Sequence, residues 1–532
     1  MSALRRRVGA TALACLGLGS AVALVAPGPL APTAAAAPAA ANDFNGDGYA
    51  DLAVGVPLED VGTTADAGAV QVFYGAAGGL SGTRSLVLHQ NVNGVADTAE
   101  RGDRFGSAVA MGDLNGDGFG DLAVGVPLED VGTRVDAGAV QVFYGSSTGL
   151  QPTRNQFLTQ DSAGALDVAE AGDRFGGAVA VGDVAGSTIA DLAVGVPLED
   201  VGRIRDAGAV HLLRGSRSGV TTTNDQLVHQ NSAGANDVAE TGDHFGQALA
   251  VGDVSGSTKR DLVVGIPYEN VGRVADAGAV HVLRGTGGAL STAGDQVISQ
   301  NTKNVADKAE TGDRFGWSLA VADLAGNSKA DLAVGVPREN VGSISDAGAV
   351  HLLRGGTGGV SASGDQLVSQ NTRGVADVSE KSDLFGYSVT AANLAGSGKA
   401  DLAVGVPLEN VVGQTDAGAV AVFEGSTPGL RTADDKLIHQ SNRGSDAAAE
   451  KGDQFGAALA SANLVGSGYA DLAVGVPNEN VGAAPDGGSV QVFRGATNGV
   501  TISGDQVVTQ SITGAPSAAE RSDRFGSAVT AR

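Results

Sequence analysis

The chain has 532 residues, 82 of them glycine, with 42% hydrophobic and 4% aromatic residues and a formal net charge of −25. A balance this acidic argues against nucleic acid and anionic membrane surfaces as partners. With one cysteine, Cys15, the chain cannot form an internal disulfide framework.

The first 41 residues differ in composition from the rest. Three arginines at positions 5–7 precede an apolar run over 8–26, and a Pro/Ala stretch ends in an A-x-A-type cleavage site before Asn42. This order predicts a secretory signal peptide over residues 1–41, exported by the Sec or the twin-arginine route, with a retained membrane anchor as the alternative. Removal of a segment that holds three arginines and no acid leaves residues 42–532 with a net charge of −28 and no transmembrane segment. We expect this mature chain to be secreted, extracellular or associated with the cell surface.

One motif then returns every 70 residues. DLAVGVP occupies six positions and DLVVGIP a seventh, and the copies begin at Asp51, Asp121, Asp191, Asp261, Asp331, Asp401 and Asp471. A fixed period of this length predicts a repeat architecture, in which one unit cannot bury its apolar surface alone.

The second repeat predicts four strands in chain order. FGSAVAMG (105–112) is followed by an Asp/Asn/Gly turn (113–121), the apolar run LAVGVP (122–127), GAVQVFYG (138–145) and QFLTQ (156–160). Four short strands without helical periodicity are typical of a propeller blade. The fold class is therefore predicted as all-β, a seven-bladed β-propeller of four-stranded blades.

The two ends predict how the ring closes. Asn42 falls in the turn between the first and second strands, so blade one lacks a first strand of its own. Residues 521–532 repeat a first strand with nothing after it. We expect residues 521–532 to complete blade one, which leaves no free sheet edge in the ring.

The repeats resemble the FG-GAP repeat family, the propeller of integrin α-subunit headpieces and of many secreted bacterial proteins. The FG pairs begin at Phe105, Phe175, Phe245, Phe315, Phe385, Phe455 and Phe525. The GAP-like triplets, GVP or GIP, end at Pro57, Pro127, Pro197, Pro267, Pro337, Pro407 and Pro477. The resemblance covers residues 42–532 and implies a propeller, whereas a fold alone does not imply one function.

The turn between the first and second strands predicts a calcium site in blades one and two. Oxygen-bearing side chains stand at positions 1, 3, 5 and 9 of the turn and glycine at position 6, which lets a short loop surround a hard cation. With the carbonyl of position 7, the candidate ligands are Asp43, Asn45, Asp47, Tyr49 and Asp51 in blade one and Asp113, Asn115, Asp117, Phe119 and Asp121 in blade two. The pattern also resembles the calcium loops of FG-GAP propellers. An Asp/Asn/Gly turn without an ion is the alternative.

The corresponding turns of the other five blades lack this ligand set. Blade three, for example, has Asp183, Ala185 and Ser187 before Asp191. We expect no ion in these turns, and we expect the aspartate at the last position to cap the turn.

Two further sets of polar residues, histidines and glutamates, recur at fixed positions of the repeat. Three histidines, His211, His281 and His351, share one repeat position, which favours a scaffold role over catalysis. Glutamates form an acidic ring near one rim, and loop capping is favoured there over a second cation site. They are Glu59, Glu129, Glu199, Glu269, Glu339, Glu409 and Glu479.

Positions that vary between repeats point to the surface that binds a partner. The residue after FG changes from Ser107 to Trp317 and Tyr387 in neighbouring blades, and Arg203 and Arg273 belong to variable loops nearby. These residues form a candidate aromatic patch, with packing between blades as the alternative.

These features together predict a monomeric, secreted, calcium-binding module for adhesion to an extracellular protein or glycan. One alternative is an extracellular hydrolase with a site assembled across blades. The other is a structural cell-surface protein that assembles with itself. The enzyme alternative is less favoured, because the sequence has no nucleophile elbow and no paired metal-binding histidines.

Overall fold

The computed structural model describes residues 42–445 and 447–531. The predicted signal peptide, residues 1–41, lies outside them. Within the described ranges, no helix is long and apolar enough to cross a bilayer. The helical structure there is one 3-10 turn, Gly82–Arg84.

Seven four-stranded antiparallel sheets form the propeller, one for each repeat. The first strands are Ala108–Gly112, Ala178–Gly182, Ala248–Gly252, Ser318–Ala322, Ser388–Ala392, Ala458–Ala462 and Ala528–Thr530. The second strands are Leu52–Val56, Asp121–Val126, Asp191–Val196, Asp261–Ile266, Asp331–Val336, Asp401–Val406 and Asp471–Val476. The third strands are Ala69–Phe73, Ala139–Phe143, Ala209–Ser216, Ala279–Gly285, Ala349–Gly356, Ala419–Phe423 and Ser489–Arg494. The fourth strands are Ser85–Leu88, Asn155–Leu158, Gly219–Val228, Leu290–Ile298, Gly359–Val368, Lys436–Ile438 and Thr501–Val508. A small extra pair, Gly425–Ser426 with Gly429–Leu430, extends blade six.

The predicted all-β fold and the four strands of each blade are confirmed. The second strands are buried along their whole length, as a continuous apolar run predicts. The first strand of blade two begins at Ala108 and not at Phe105, because the FG pair turns toward the neighbouring blade. The amide of Phe105 donates to the carbonyl of Ala67 in blade one at 2.9 Å. Gly106 then takes a φ of +93°, which glycine adopts without steric cost.

The first strands of consecutive blades lie side by side around a central channel. In blade one, Ala528–Thr530 pairs with Leu52–Val56, with Ala53 opposite Thr530. Mostly apolar side chains line the channel, together with the hydroxyls of Thr390, Ser461 and Thr530, and its lining among the described residues contains no Asp, Glu, His, Lys or Arg. One side chain from each blade contributes at the same position: Val109, Val179, Leu249, Leu319, Val389, Leu459 and Val529.

The hydrophobic core lies between neighbouring sheets. Phe105 is fully buried, and its ring meets that of Phe143 edge-on at 6.2 Å. The same cluster includes Ala53 and Val70 of blade one. Each FG phenylalanine therefore fills the space between its own blade and the preceding one.

The strand register gives the ring two different faces. In blade two, Gly112 pairs with Asp121 at one end of the first strand and Ala108 with Gly125 at the other. We call the end with the Asp/Asn/Gly turns the loop face and the end with the FG pairs the FG face.

Candidate calcium loops and the FG face

The predicted calcium loop of blade two is organised around Asp113. Its Oδ1 accepts the amides of Gly116 at 2.6 Å and Asp117 at 3.2 Å, and its Oδ2 accepts that of Gly118 at 3.0 Å. In blade one, the equivalent Asp43 accepts amides in the same way, including that of Gly48 at 2.7 Å. The aspartate at position 1 therefore folds the turn around its own carboxylate.

Positions 3 and 5 also present oxygen atoms to the turn. The Oδ1 of Asn115 accepts the amide of Asp117 at 2.8 Å, and the Oδ1 of Asp117 accepts that of Phe119 at 3.1 Å. Asn45, Asp47 and Tyr49 repeat both contacts in blade one at the same distances. The structure therefore brings the predicted ligand residues of each blade into one turn.

The aspartate at position 9 is buried behind the turn. The Oδ2 of Asp121 accepts the amide of Leu114 at 2.8 Å, and its Oδ1 accepts that of Gly145 at 2.9 Å. Burial raises the pKa of Asp121 to about 8, and the neighbouring Asp117 and Asp113 raise it further. Burial with the charges of Asp43 and Asp47 also raises the pKa of Asp51 to about 8. Both sites thus gather negative charge that a cation would neutralise.

The aspartates at position 9 of the other blades cap their turns, as predicted. In blade three, the Oδ2 of Asp191 accepts two amides, those of Val184 at 3.0 Å and Ala185 at 2.8 Å. Its Oδ1 accepts the amide of Gly215 at 3.2 Å. In blades five and six, Asp331 and Asp401 accept two amides through Oδ2 in the same manner. A cap of this kind satisfies the carboxylate with backbone donors alone.

An arginine lies beside position 5 in both candidate loops. Arg84 contacts Asp47 at 2.7 Å, and Arg154 contacts Asp117 at 3.8 Å. Both arginines are more than two-fifths exposed. Surface ion pairs of this type contribute about 0–1 kcal/mol, so they do not hold the aspartates away from an ion. Hard oxygen donors at positions 1, 3, 5 and 9 fit a calcium ion.

Adjacent loops support each other around the loop face. The ring of Phe119 lies over Gly46 of the neighbouring loop, so that a Cβ at Gly46 would lie 2.7 Å from the ring. The amide of Gly120 donates to the carbonyl of Asp43 at 2.9 Å. The side chain at position 7 therefore joins two loops, a role that the sequence analysis of Phe119 did not predict.

On the FG face, the recurring glutamates pair with glutamines of the preceding blade. Each glutamine follows a fourth strand and donates its Nε2 hydrogen to the glutamate. The pairs are Gln510–Glu59, Gln90–Glu129, Gln160–Glu199, Gln230–Glu269, Gln300–Glu339, Gln370–Glu409 and Gln440–Glu479. The glutamate side chains thus join adjacent blades. The glutamine also recurs every 70 residues, and this signal was missed in the sequence.

Burial makes these glutamates hard to ionise. It raises the pKa of Glu269 to about 9, and the nearby Asp237 and Asp243 raise it further. For Glu479, burial and Asp453 raise the pKa to about 7. Burial and the neighbouring carboxylates therefore favour the protonated form of Glu269 at neutral pH, against the hydrogen bond from Gln230, which lowers the pKa.

Trp317 and Tyr387, the candidate aromatic patch, lie close together on the FG face, with ring centroids 5.7 Å apart. The guanidinium of Arg314 stacks over Trp317 at 5.4 Å and over Tyr268 at 4.6 Å. All four side chains are half-buried. We call these four residues the aromatic cluster.

The two arginines predicted near the patch are exposed. Arg203 and Arg273 lie on the loops that follow second strands, and the cation that contacts the rings is Arg314. Tyr268 was also missed, although it directly follows the GIP triplet and occurs in one repeat alone.

The recurring histidines are fully buried and paired with aspartates. His211 contacts Asp225 at 2.7 Å, and His351 contacts Asp365 at 2.8 Å. His281 forms the same pair with Asp295. Because these side chains are inaccessible to solvent, the pairs belong to the scaffold.

The FG-GAP repeat family matches five segments of the chain, residues 34–73, 105–143, 245–283, 315–353 and 385–423. The phosphatidylinositol-glycan-specific phospholipase D of Bos taurus is 34% identical over 165 residues, which cover 31% of this chain and 19% of that protein. Integrin alpha-PS5 of Drosophila melanogaster is 35% identical over 30% of this chain and 14% of its own length. Integrin alpha-3 of Cricetulus griseus is 33% identical over 32% and 15%.

The matched segments therefore amount to less than a fifth of the length of these relatives. Among solved structures, a Photorhabdus luminescens Tc holotoxin pore chain aligns with 80% of this chain and 17% of its own, at 14% identity and a TM-score of 0.33, too low to support an argument. The repeat matches, the relatives and the seven observed blades agree with one another. The chain carries five segments that match FG-GAP repeats, folds as a seven-bladed β-propeller, and is similar to integrin α-subunits and to phosphatidylinositol-glycan-specific phospholipase D.

Proposed function

We propose that this protein is a secreted, calcium-binding propeller that recognises an extracellular protein or glycan through the aromatic cluster on its FG face. One observation carries the proposal. Trp317 and Tyr387, on neighbouring blades, have ring centroids 5.7 Å apart with Arg314 stacked on Trp317, and all three side chains are partly exposed. Tryptophan, tyrosine and arginine are the residue types enriched where proteins contact their partners.

Comparison of the blades indicates that this cluster is not required for folding. The position after FG is occupied by much smaller residues in several other blades, including Ser107, Gly177, Ala457 and Ser527. These blades form the same sheets with the same register. Large rings at this position therefore add surface that the scaffold does not need, which supports a role in recognition.

The calcium part of the proposal rests on the loops of blades one and two. Asp43, Asn45, Asp47 and Asp51 would hold one ion with the carbonyl of Tyr49. The second ion would be held by the side chains of Asp113, Asn115, Asp117 and Asp121 and by the carbonyl of Phe119. A bound ion would offset the repulsion between the converging carboxylates. Because these loops lie on the face opposite to the aromatic cluster, we propose that calcium stabilises the ring and does not bridge to the partner.

The test is a cross-linked pull-down on intact cells and extracellular matrix with the purified protein, in calcium and in EGTA. The informative variant replaces Trp317 and Tyr387 with serine, the residue that blade two carries at this position. We expect capture of a defined partner by the wild type and at least about 30-fold weaker binding by the variant, the effect of losing a hot spot of about 2 kcal/mol.

A matched control replaces Ser107 and Ser527 with alanine, which alters the same repeat position in distant blades. This control should bind like the wild type. The proposal is wrong if no partner is recovered in either condition, or if the Trp317/Tyr387 variant retains the wild-type partner at wild-type affinity.

A further inference from the structure

Two clusters of three carboxylates lie on the FG face, where neighbouring blades meet. The first consists of Glu310, Asp313 and Glu339, whose oxygen atoms lie within 4.8 Å of one another. The second, one blade further along, consists of Glu380, Asp383 and Glu409 with the same spacing. We call them the two triads. They lie at the end of the blades opposite to the predicted calcium loops.

Hydrogen bonds hold the members of the first triad in place. The Oδ2 of Asp313 accepts the amide of Glu310, and the Nδ2 of Asn340 donates to the Oε2 of Glu310 at 2.7 Å. Gln300 of the preceding blade donates to Glu339. In the second triad, Asp383, Asn410 and Gln370 make the same three contacts.

A buried oxygen atom in each triad has no partner. Asp313 and Asp383 are both 0% exposed, and no donor among the described residues lies within hydrogen-bonding distance of either Oδ1 atom. The side chain of Gln370 is close enough to Asp383 to lower the pKa of that carboxyl, whereas no side-chain donor does so at Asp313. None of the salt bridges found in the described ranges involves a member of either triad. An anionic oxygen without a donor in a buried position is costly, and a bound cation would offset that cost.

The seven junctions between blades differ in the residue that follows the recurring glutamate. Blades four to seven carry asparagine after the recurring glutamate, at Asn270, Asn340, Asn410 and Asn480, and each donates to the exposed glutamate of its junction. Blades one to three carry aspartate there, at Asp60, Asp130 and Asp200, which would repel that glutamate. The unpartnered Oδ1 occurs at the four junctions with asparagine, on Asp243, Asp313, Asp383 and Asp453.

We propose that each triad binds a hard divalent cation such as Ca²⁺, at a site separate from the loops of blades one and two. All-oxygen carboxylate ligands are those that Ca²⁺, Mg²⁺ and Mn²⁺ prefer over softer metals. Asp313 and Asp383 supply the buried ligand, and the asparagine of each junction positions the exposed glutamate. Burial and the neighbouring charges raise the pKa of Asp313 to about 6 and of Glu339 to about 8, which agrees with negative charge lacking a counterion.

The chain contains a reporter for the first triad. Trp317 is its only tryptophan and stands four residues after Asp313, so their backbones are at most about 14 Å apart. Terbium is a luminescent hard cation that replaces calcium at oxygen sites, and nearby tryptophan sensitises its emission. We expect titration of the full protein with Tb³⁺ to produce emission excited through Trp317 and reversed by excess Ca²⁺.

Asp313→Asn should weaken this terbium signal by about tenfold or more in apparent affinity, because it removes a buried charged ligand. The amide keeps an oxygen for the Glu310 amide, and far-UV circular dichroism with thermal unfolding checks that the fold is retained. Asp103→Asn changes the same repeat position at another junction, where Asp130 stands in place of the asparagine. This variant should leave the terbium signal unchanged. So should Asp117→Asn in the calcium loop of blade two, which separates the triads from that proposal.

Calcium binding by equilibrium dialysis gives a second readout that does not depend on Trp317. The double variant Asp313→Asn/Asp383→Asn should bind two fewer Ca²⁺ ions than the wild type, and Asp103→Asn/Asp173→Asn should bind as many as the wild type. An absent terbium signal at saturation, or equal stoichiometry in the wild type and the Asp313/Asp383 variant, would overturn the inference. A proton would then be what neutralises the triads.

Discussion

Gly55 and Gly106 lie in direct backbone contact across the junction between blades one and two. A Cβ atom at Gly55, in the second strand of blade one, would lie 2.1 Å from the carbonyl oxygen of Gly106 in the FG pair of blade two. The same contact recurs at the other junctions, for example between Gly125 and Gly176 at 2.1 Å. The glycine of the GVP triplet and that of the FG pair are therefore two sides of one contact between blades.

Replacement of Gly125 with alanine should destabilise the protein by about 1–3 kcal/mol, since the added methyl group would push the adjacent backbone away. Urea denaturation followed by tryptophan fluorescence measures this change in the free energy of unfolding. Gly78→Ala is the matched control, because a Cβ at Gly78 meets nothing within 4 Å. Equal stability of the two variants would show that the junction relaxes without cost.

The fold could be predicted from the sequence because a period of 70 residues repeats every local signal seven times. The strand boundaries were less accurate at Phe105 and Gly106, where the prediction extended the first strand across the FG pair. A continuous apolar run does not distinguish residues that pair within a sheet from residues that contact the next blade. The Gly55–Gly106 contact depends on the distance between two sheets, which periodicity within one repeat does not contain.

Removal of calcium should lower the stability of the protein through the loops of blades one and two. Occupancy at 100 times the dissociation constant contributes about 2.7 kcal/mol for each site. The double variant Asp47→Asn/Asp117→Asn should lose part of the rise in melting temperature that calcium causes, because each change removes one negative charge from the ligand set. Each asparagine keeps a side-chain oxygen that can accept the backbone amide of Tyr49 or Phe119. Differential scanning calorimetry with and without EGTA measures this. Asp183→Asn, in the predicted ion-free turn of blade three, is the control, and an unchanged calcium response in the double variant would contradict the prediction.

The candidate sites could be predicted where their residues are close in sequence or share one repeat position, as Trp317 and Tyr387 do. The loop residues Asp113 to Asp121 lie within one turn, so their convergence follows from spacing alone. Arg314 and Tyr268 come from different blades, and their stacking depends on how the blades pack. The partnership of Gln300 with Glu339 likewise joins residues that are 39 positions apart.

The glutamates of the FG face should make the protein more stable in mild acid than in mild alkali. The pKa of Glu269 is raised from 4.5 to about 9 in the folded state, so folding favours its protonated form. Its contribution to stability is therefore fully present below about pH 4.5 and is lost as the pH rises toward 9. Thermal unfolding in EGTA should give a melting temperature that falls between about pH 5 and about pH 8.5.

Glu269→Gln should reduce this fall, because an amide cannot ionise and still fits beside Gln230. Glu170→Gln is the control, since it removes a carboxylate from an exposed position. A melting temperature that rises with pH, or the same pH profile in Glu269→Gln and the wild type, would show that the glutamates ionise freely in the folded protein.

The buried pair of His281 and Asp295 should respond differently to two substitutions of the histidine. His281→Leu removes one hydrogen-bond partner of the buried Asp295 carboxylate and leaves it with the donors of Asn236, the backbone amide to Oδ2 and the side-chain amide to Oδ1. Loss of a partner in a buried position costs about 1–3 kcal/mol. His281→Gln should cost less, because blades two and seven carry glutamine at this position, where Gln141 donates to Asn155 and Gln491 to Asp505. Urea denaturation of both variants measures the difference in the free energy of unfolding. Equal losses would show that the shape of the imidazole, packed edge-on against Phe245 at 5.7 Å, stabilises the blade more than its hydrogen bond does.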